Sequence, residues 1–472
     1  MSALRTPRRA SSSDLVPAAE RGPLAARARG ATATVAITAL CCALSWLVLL
    51  HPGFMSPDSA HQLAQARSGV LTDWHAPLMA ILWMATDRIV PGAFGMLVLQ
   101  TTIMWIALAL LAQRIAAPAW TKACFLLVLA TAPPVVSIAG ALWKDVLMAA
   151  LVTLAFGVAD RRLVFWPVAL LATMSRHNAI PAVAVAVLLH LAPARVDVRA
   201  LARAALAGAL LFATALGFNA LVVDQQTHPE QVFLIGDFIG ISVTTQTIPT
   251  VDACHRKTAP AERRRTLPFD DDPKVKAVLV AAATQFQYCT DEAASRSLLE
   301  RWMALVAEHP AAYLHVRSRL AEHLLGIDEA PGNFMLARSI YDPVRFRLEP
   351  PPSPSSFQEW LGAALWRWRD ALVFRPWIYG ALGLVAVAVA ALRRRRWPLF
   401  IALSGIASEC GLFFVAPSAD YRYSYWMIVS ALIAALWLIA EAIGRATAHA
   451  APRDGRGIDA RRRCGAHGIA CV

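Results

Sequence analysis

Four short polar clusters interrupt an otherwise apolar chain: "SPDSAHQ" at 56–62, "WKDV" at 143–146, "SRHN" at 175–178 and "SADYRY" at 418–423. They supply carboxylates (Asp58, Asp145, Asp420), cations (Lys144, Arg176, Arg422) and further hydrogen-bonding groups (Gln62, His177, Asn178). Asp73 and His75 follow in the neighbouring "DWHAPL". A positioned carboxylate takes a proton from a hydroxyl as a general base. Lysine and arginine hold phosphate oxygens by charge-assisted hydrogen bonds. Polar groups close to a membrane are costly and are usually kept for a pathway, a pairing or a reaction.

Each cluster also has a plainer reading. Ser56-Pro57-Asp58 is a helix start, with a Ser cap, Pro at the first position and an acid in the first turn. Asp58 can simply complement the helix dipole, or it can face a cavity with Gln62 one turn on and His61 and Gln65 nearby. Lys144-Asp145 can be a tight loop closed by its own ion pair, and Trp143 beside it an interfacial anchor. Arg176 can meet lipid headgroups, and Tyr421-Arg422-Tyr423 can belong to an interfacial aromatic belt. The coincidence of all four clusters favours a site.

The elements that must position these residues are membrane helices. The chain has 472 residues, 57% hydrophobic and only 16% charged, with a mean hydropathy of +0.49. Soluble domains are about 25% charged. Apolar runs approach spanning length near 31–50, 95–113, 120–141, 146–159, 163–175, 179–194, 202–223, 377–392, 397–416 and 425–443. They predict an all-α polytopic bundle of about ten transmembrane helices, not a barrel. The formal charge of +13 sits mostly between runs and at the chain ends, as the positive-inside rule expects, so nucleic acid is not the implied partner. Both termini are then cytoplasmic, and all four clusters fall on the extracytoplasmic side. The stretch "APLMAILWMATDRI" reads as an interfacial or re-entrant segment, because a crossing there would invert every later loop.

The resulting organisation is a basic, disordered tail over 1–30 and an N-terminal transmembrane module over 31–223 with an external helical loop at 51–94. An extracytoplasmic region follows over 224–375, then C-terminal helices over 376–444 and a basic tail over 445–472. Within 224–375, Asp237 reads as a turn or loop acid. His315, Arg317 and Arg319 read as a basic helical face toward lipid phosphates. "WLGAALWRWRDALVF" suits a helix at headgroup level. Of the eight cysteines, Cys41, Cys42, Cys124 and Cys410 lie in apolar runs as buried thiols. Cys254 and Cys289 can form a disulfide if their segment is extracytoplasmic.

With "SPDSAHQ" in a long first external loop, "DWHAPL" downstream of it and the "WKD", "SRHN" and "DYRY" corners in that order, the chain resembles GT-C-fold membrane glycosyltransferases. This class includes protein O-mannosyltransferases, family 39 enzymes and lipid A aminoarabinose transferases. "EHPAAYLHVRSRL" at 308–320 adds to the likeness, which covers most of residues 30 to 445. His75-Ala76-Pro77 replaces the family's His-Pro-Pro, and "SPDS" replaces an Asp-Glu pair. The resemblance implies sugar transfer from a polyprenyl-phosphate donor to an acceptor hydroxyl at the outer face, with inversion and with Asp58 as general base. Lys144, Arg176 and Arg422 would stabilise the departing phosphate. Gln62, Asp73, His75, Asp145, His177, Asn178 and Asp420 complete the expected substrate-binding set. A divalent cation, Mg²⁺ or Mn²⁺, could bridge Asp58 or Asp145 to the phosphate, though no metal ligands are assigned.

The partners so implied are the lipid-linked sugar, a lipid, glycan or protein acceptor, and membrane lipids. Ala- and Arg-rich usage points to a bacterial inner membrane. Two other classes compete: a transporter or lipid flippase using the same charges as a pathway, and an O-antigen-type polymerase or ligase relying on external arginines.

Overall fold

The computed structural model describes residues 18–192, 196–245, 292–328 and 338–450. Cys254, Cys289 and "PKVKAVLVAAATQF" at 273–286 lie outside the described residues. The described chain is helical, with no sheet and two isolated bridges, Phe54 to Ala141 and Thr72 to Gln225.

The N-terminal half carries α1 (Ala18–Leu49), α2 (Pro57–Ser68), α3 (Leu78–Ile89), α4 (Phe94–Arg114), α5 (Ala119–Thr131), α6 (Pro133–Ala139), α7 (Lys144–Gly157), α8 (Arg162–Ser175), α9 (Ile180–Leu191) and α10 (Val198–Val222). Next come α11 (Gln231–Thr245), α12 (Glu292–Glu308), α13 (Pro310–Leu325), the single turn α14 (Pro343–Phe346) and α15 (Ser356–Trp368). The chain closes with α16 (Pro376–Leu392), α17 (Arg396–Val415) and α18 (Tyr425–Ala450). Because α1 begins at Ala18, part of the expected disordered leader is helix instead.

Helix ends follow local chemistry. Pro133 and Pro134 follow α5, where proline cannot continue the helical hydrogen bonds, and α5 and α6 meet at a 58° bend. α15 starts with a capping box in which Ser355 Oγ accepts from Gln358 N, while Gln358 Oε1 accepts from Ser355 N. Gly326 ends α13 at φ 67°, a left-handed position that glycine takes without steric cost.

Ten apolar rods alternate between two ends of the bundle, counting α5–α6 as one. At one end Gln113 donates to the Thr32 carbonyl, Arg114 pairs with Asp160, Arg396 reaches the Ala192 carbonyl and Arg395 pairs with Glu441. The opposite end gathers Phe54 with Ala141, Leu71 with Asp224, and Arg317 with the Ala416 carbonyl. Length is less uniform than direction. Among the described residues, five stretches are long and apolar enough to cross a membrane: Arg29–Leu49, Phe94–Arg114, Val198–Val222, Arg396–Val415 and Tyr421–Ala450. The bent α5–α6 pair makes a sixth. α7, α8, α9 and α16 have 14, 14, 12 and 17 residues, roughly 18–26 Å at 1.5 Å per residue against a core of about 30 Å.

α3 has 12 residues and packs on α2 and α4, too short to cross by itself.

Between lipid-facing helices, close approach of small residues replaces the hydrophobic effect as the packing force. A methyl group added at Gly140 would lie 2.5 Å from the Phe54 ring, and one at Gly405 would meet Ser430 Oγ and Met427 Cα. Of the thiols in apolar runs only Cys42 is buried. Cys41, Cys124 and Cys410 are exposed on the rods, because the surrounding lipid is as apolar as a core.

Candidate active site

Asp58 is set by the start of α2. Ser56 caps the helix, Pro57 fixes the first turn, and Gly69 ends it at φ 74° with its N–H donating to the Gln65 carbonyl at 2.9 Å. Ser56 Oγ accepts from Trp143 Nε1 at 2.8 Å, and Ser59 Oγ donates to the Leu142 carbonyl at 2.7 Å. These bonds fasten α2 to the α6–α7 corner, so Asp58 and Lys144 come from segments locked together. Trp143 is buried inside this junction and is not an interfacial anchor.

The four clusters converge. Arg422 Nη1 donates to Asp58 Oδ2 at 2.7 Å, and its other terminal nitrogen lies 3.2 Å from Asp420. Its guanidinium covers the Trp143 ring at 4.9 Å. Arg176 pairs with Asp145, which is 1% exposed, and stacks over the Tyr423 ring at 4.4 Å. Tyr421 and Tyr423 are themselves buried and form no lipid-facing belt; the Tyr423 ring holds the arginines, and Tyr421 packs with Phe374 and Tyr379.

Lys144 differs from the two arginines. Among the described residues no carboxylate lies within ion-pair distance of it, and its ammonium donates to His75 Nδ1 at 3.0 Å. That bond fixes the neutral His75 tautomer with its proton on Nε2. His75 Nε2 has no hydrogen-bond partner and faces Asp58 Oδ1 across 3.9 Å. Burial, then the Lys144 charge, pushes the His75 imidazole well below its ordinary range, consistent with a neutral ring. Burial alone would raise the Asp58 carboxyl, but Arg422, His75 and Lys144 outweigh it and hold Asp58 well below the usual carboxylate range. Burial, reinforced by Arg176, pushes Lys144 down to about 7.

Asp58 and His75 form one wall of a cavity of about 800 Å³. His61 lines it from α2, Trp74 from the loop after α2, Thr227 from the segment after α10, and Arg345, Phe346 and Arg347 from the turn containing α14.

Other expected ligands do different work. Gln62 is 1% exposed and donates to the Asp58 carbonyl at 3.2 Å, so it braces the helix. Asp73 accepts from Thr227 N at 2.5 Å and Thr227 Oγ1 at 2.6 Å, pinning the first loop to the chain after α10. His177 accepts from Asn219 Nδ2 at 2.8 Å and is exposed. Asn178 keeps a buried, unpartnered Oδ1 beside Arg176 in sequence. Asp237 is not in a turn or loop: it sits in α11, 2% exposed, accepting from Arg317 at 2.6 Å and Trp302 at 3.0 Å. Arg317, 1% exposed, therefore cannot belong to a lipid-facing basic surface. Arg319 is occupied by Glu322 and Asp328, and His315 alone of the three is exposed without such a partner.

Asp58 and Asp145, the carboxylates expected to bridge a cation, are each already opposed by an arginine. No group of three or more His, Cys, Asp or Glu side chains among the described residues could hold a metal ion. The donor set fits an anion better than a divalent cation. Sequence reading missed Arg345 and Arg347, although "DPVRFRLEP" carries two arginines on alternate residues beside an aromatic ring.

Comparisons of the chain with family models, curated proteins and solved structures find no match.

Proposed function

We propose that the protein is a GT-C-type membrane glycosyltransferase of about ten crossings, moving a sugar from a polyprenyl-phosphate donor to an acceptor hydroxyl at the extracytoplasmic face of a bacterial inner membrane. The observation that carries this reading is the linked cluster of Asp58, His75, Lys144, Arg176 and Arg422, of which Asp58 and His75 line one cavity. Four separate chain segments contribute them, at one end of a helical bundle.

In this mechanism an acceptor hydroxyl occupies the 3.9 Å gap between His75 Nε2 and Asp58 Oδ1. The His75 N–H donates to the hydroxyl oxygen, and Asp58 accepts the hydroxyl proton as the oxygen attacks the anomeric carbon. The glycosidic bond to phosphate breaks, and the lipid phosphate leaves with the electron pair. Lys144 and the two arginines stabilise that charge in a site with little water. A single displacement inverts the anomeric centre. Arg422 makes Asp58 a weak base at rest; a donor phosphate that competes for Arg422 raises the basicity of Asp58 only when substrate is present. No step runs through a metal ion.

The test incubates the purified chain with radiolabelled polyprenyl-phosphate sugars and a membrane lipid extract. Label appearing in an acceptor fraction supports transfer. Label crossing sealed vesicles with the donor intact contradicts transfer and marks a transporter.

A further inference from the structure

The cationic groups near Asp58 fall on two sides of it. Lys144, Arg176 and Arg422 lie behind the carboxylate, packed against Trp143 and Tyr423. Arg345 and Arg347 stand on the open side, across the cavity that Asp58 and His75 wall. Their guanidinium groups make no hydrogen bond or ion pair with any described residue. The nearby acids are accounted for: Glu349 and Asp87 accept from Arg67, Asp342 caps α14, and Asp58 accepts from Arg422. The open side therefore has two guanidinium groups that no described carboxylate pairs with.

The rim that carries them is built in. Ile340 N donates to the Met55 carbonyl at 2.7 Å, and Met55 N donates to Ser339 Oγ at 3.0 Å. Arg67 Nη1 reaches Glu349 at 2.7 Å, and Tyr341 Oη donates to the Glu349 carbonyl at 2.8 Å. The segment is thus tied to both ends of the first external helix, with α14 between the ties. Arg347 closes α14 at φ 53°, a left-handed position where glycine or asparagine is the easier residue. An arginine kept at such a position beside a cavity suggests that its side chain is used.

The remaining wall is aromatic. Trp74, Phe346 and His61 line it, with the His61 and His75 rings edge to face at 5.6 Å. Flat apolar rings beside convergent polar groups suit the faces and hydroxyls of a sugar ring, and free guanidinium groups suit a phosphate. We infer that the open half of the cavity binds a phosphorylated saccharide, with its phosphate on Arg345 and Arg347 and a hydroxyl presented to Asp58. On the transferase reading, on which this assignment of role rests, that saccharide is the acceptor and the cluster behind Asp58 receives the donor phosphate.

The test measures binding of glucose 6-phosphate, glucose and a long-chain polyprenyl phosphate to the full chain in detergent micelles. The variants are Arg345→Ser with Arg347→Ser, and separately Arg347→Gly. Wild-type protein should bind glucose 6-phosphate and not glucose. The double variant should bind it at least about tenfold more weakly, with polyprenyl phosphate binding unchanged. Arg347→Gly should also weaken binding while holding or raising the thermal midpoint, since glycine relieves the left-handed backbone; a lost fold would instead lower it. Equal affinity in wild type and variants, or tight binding of glucose, overturns the inference. A loss confined to polyprenyl phosphate also overturns it, by making the arginines part of the donor seat. If binding behaves as expected but no sugar is transferred, the site stands and only the transferase reading falls.

Discussion

Lys144 is the cation behind Asp58 that pairs with no described carboxylate, and this gives it a distinct pH signature. Burial and Arg176 bring it down to about 7 in the folded protein, whereas an unfolded lysine holds its proton to about 10.4. Between those values the unfolded state binds more protons, so this group's contribution to stability rises with pH and is at its least favourable below 7. Anion binding needs the ammonium and runs the other way. Affinity for polyprenyl phosphate should fall as pH rises through 7, by up to about tenfold per pH unit, and Lys144→Gln should remove that dependence. Titration calorimetry across pH 6–9 (roughly two units above the Lys144 midpoint) checks both. Asp58→Asn leaves Asp420 on Arg422, so it should cost about 1–2 kcal/mol of stability and not unfold the chain, measured by thermal denaturation in micelles. The charged corners were legible in sequence because isolated ions in an apolar chain stand out. Their pairings were not, since Asp58 meets Arg422 and Asp145 meets Arg176 across the fold.

Among elements, the rods were legible from apolar runs, and each run corresponds to a helix except 120–141, which breaks into α5 and α6. Their lengths and breaks depend on prolines and on packing, which is why α7, α8 and α9 are shorter than a bilayer core. The pair Asp237–Arg317 shows what linear reading misses: an acid and a basic helix both look like surface until α11 and α13 pack together. Arg317→Met alone should destabilise by about 3–5 kcal/mol by leaving Asp237 buried and unpaired, while adding Asp237→Leu should restore much of that loss. Denaturation of the single and double variants tests the clamp. Gly140 sits where α6 approaches Phe54, so Gly140→Ala should overpack the junction beneath Asp58 and Lys144 and cost about 1–3 kcal/mol. A thermal midpoint unchanged by that methyl would contradict the packing described.

For the whole molecule, the alternation of rods gathers the site at one end and Arg114, Arg161, Arg395 and Arg396 around the other. The topology proposed from the positive-inside rule has the site outside. A reporter enzyme that works only outside the cytoplasm should be active when fused after Gly69 and inactive when fused after Arg161; the reverse pattern would invert the topology. The two open arginines escaped sequence reading because α14 lies nearly three hundred residues from Asp58 in the chain and is held near it by ties to both ends of α2. The central claim is that Asp58 takes the acceptor proton while the cations behind it hold the departing phosphate. Its most direct measurement is single-turnover sugar transfer by purified Asp58→Asn protein, alongside donor binding by the same sample. The account predicts a rate reduced by about 10²–10⁴-fold with donor affinity retained or increased, since Arg422 is then freer for phosphate. Transfer at the wild-type rate by a variant that binds donor normally would contradict it.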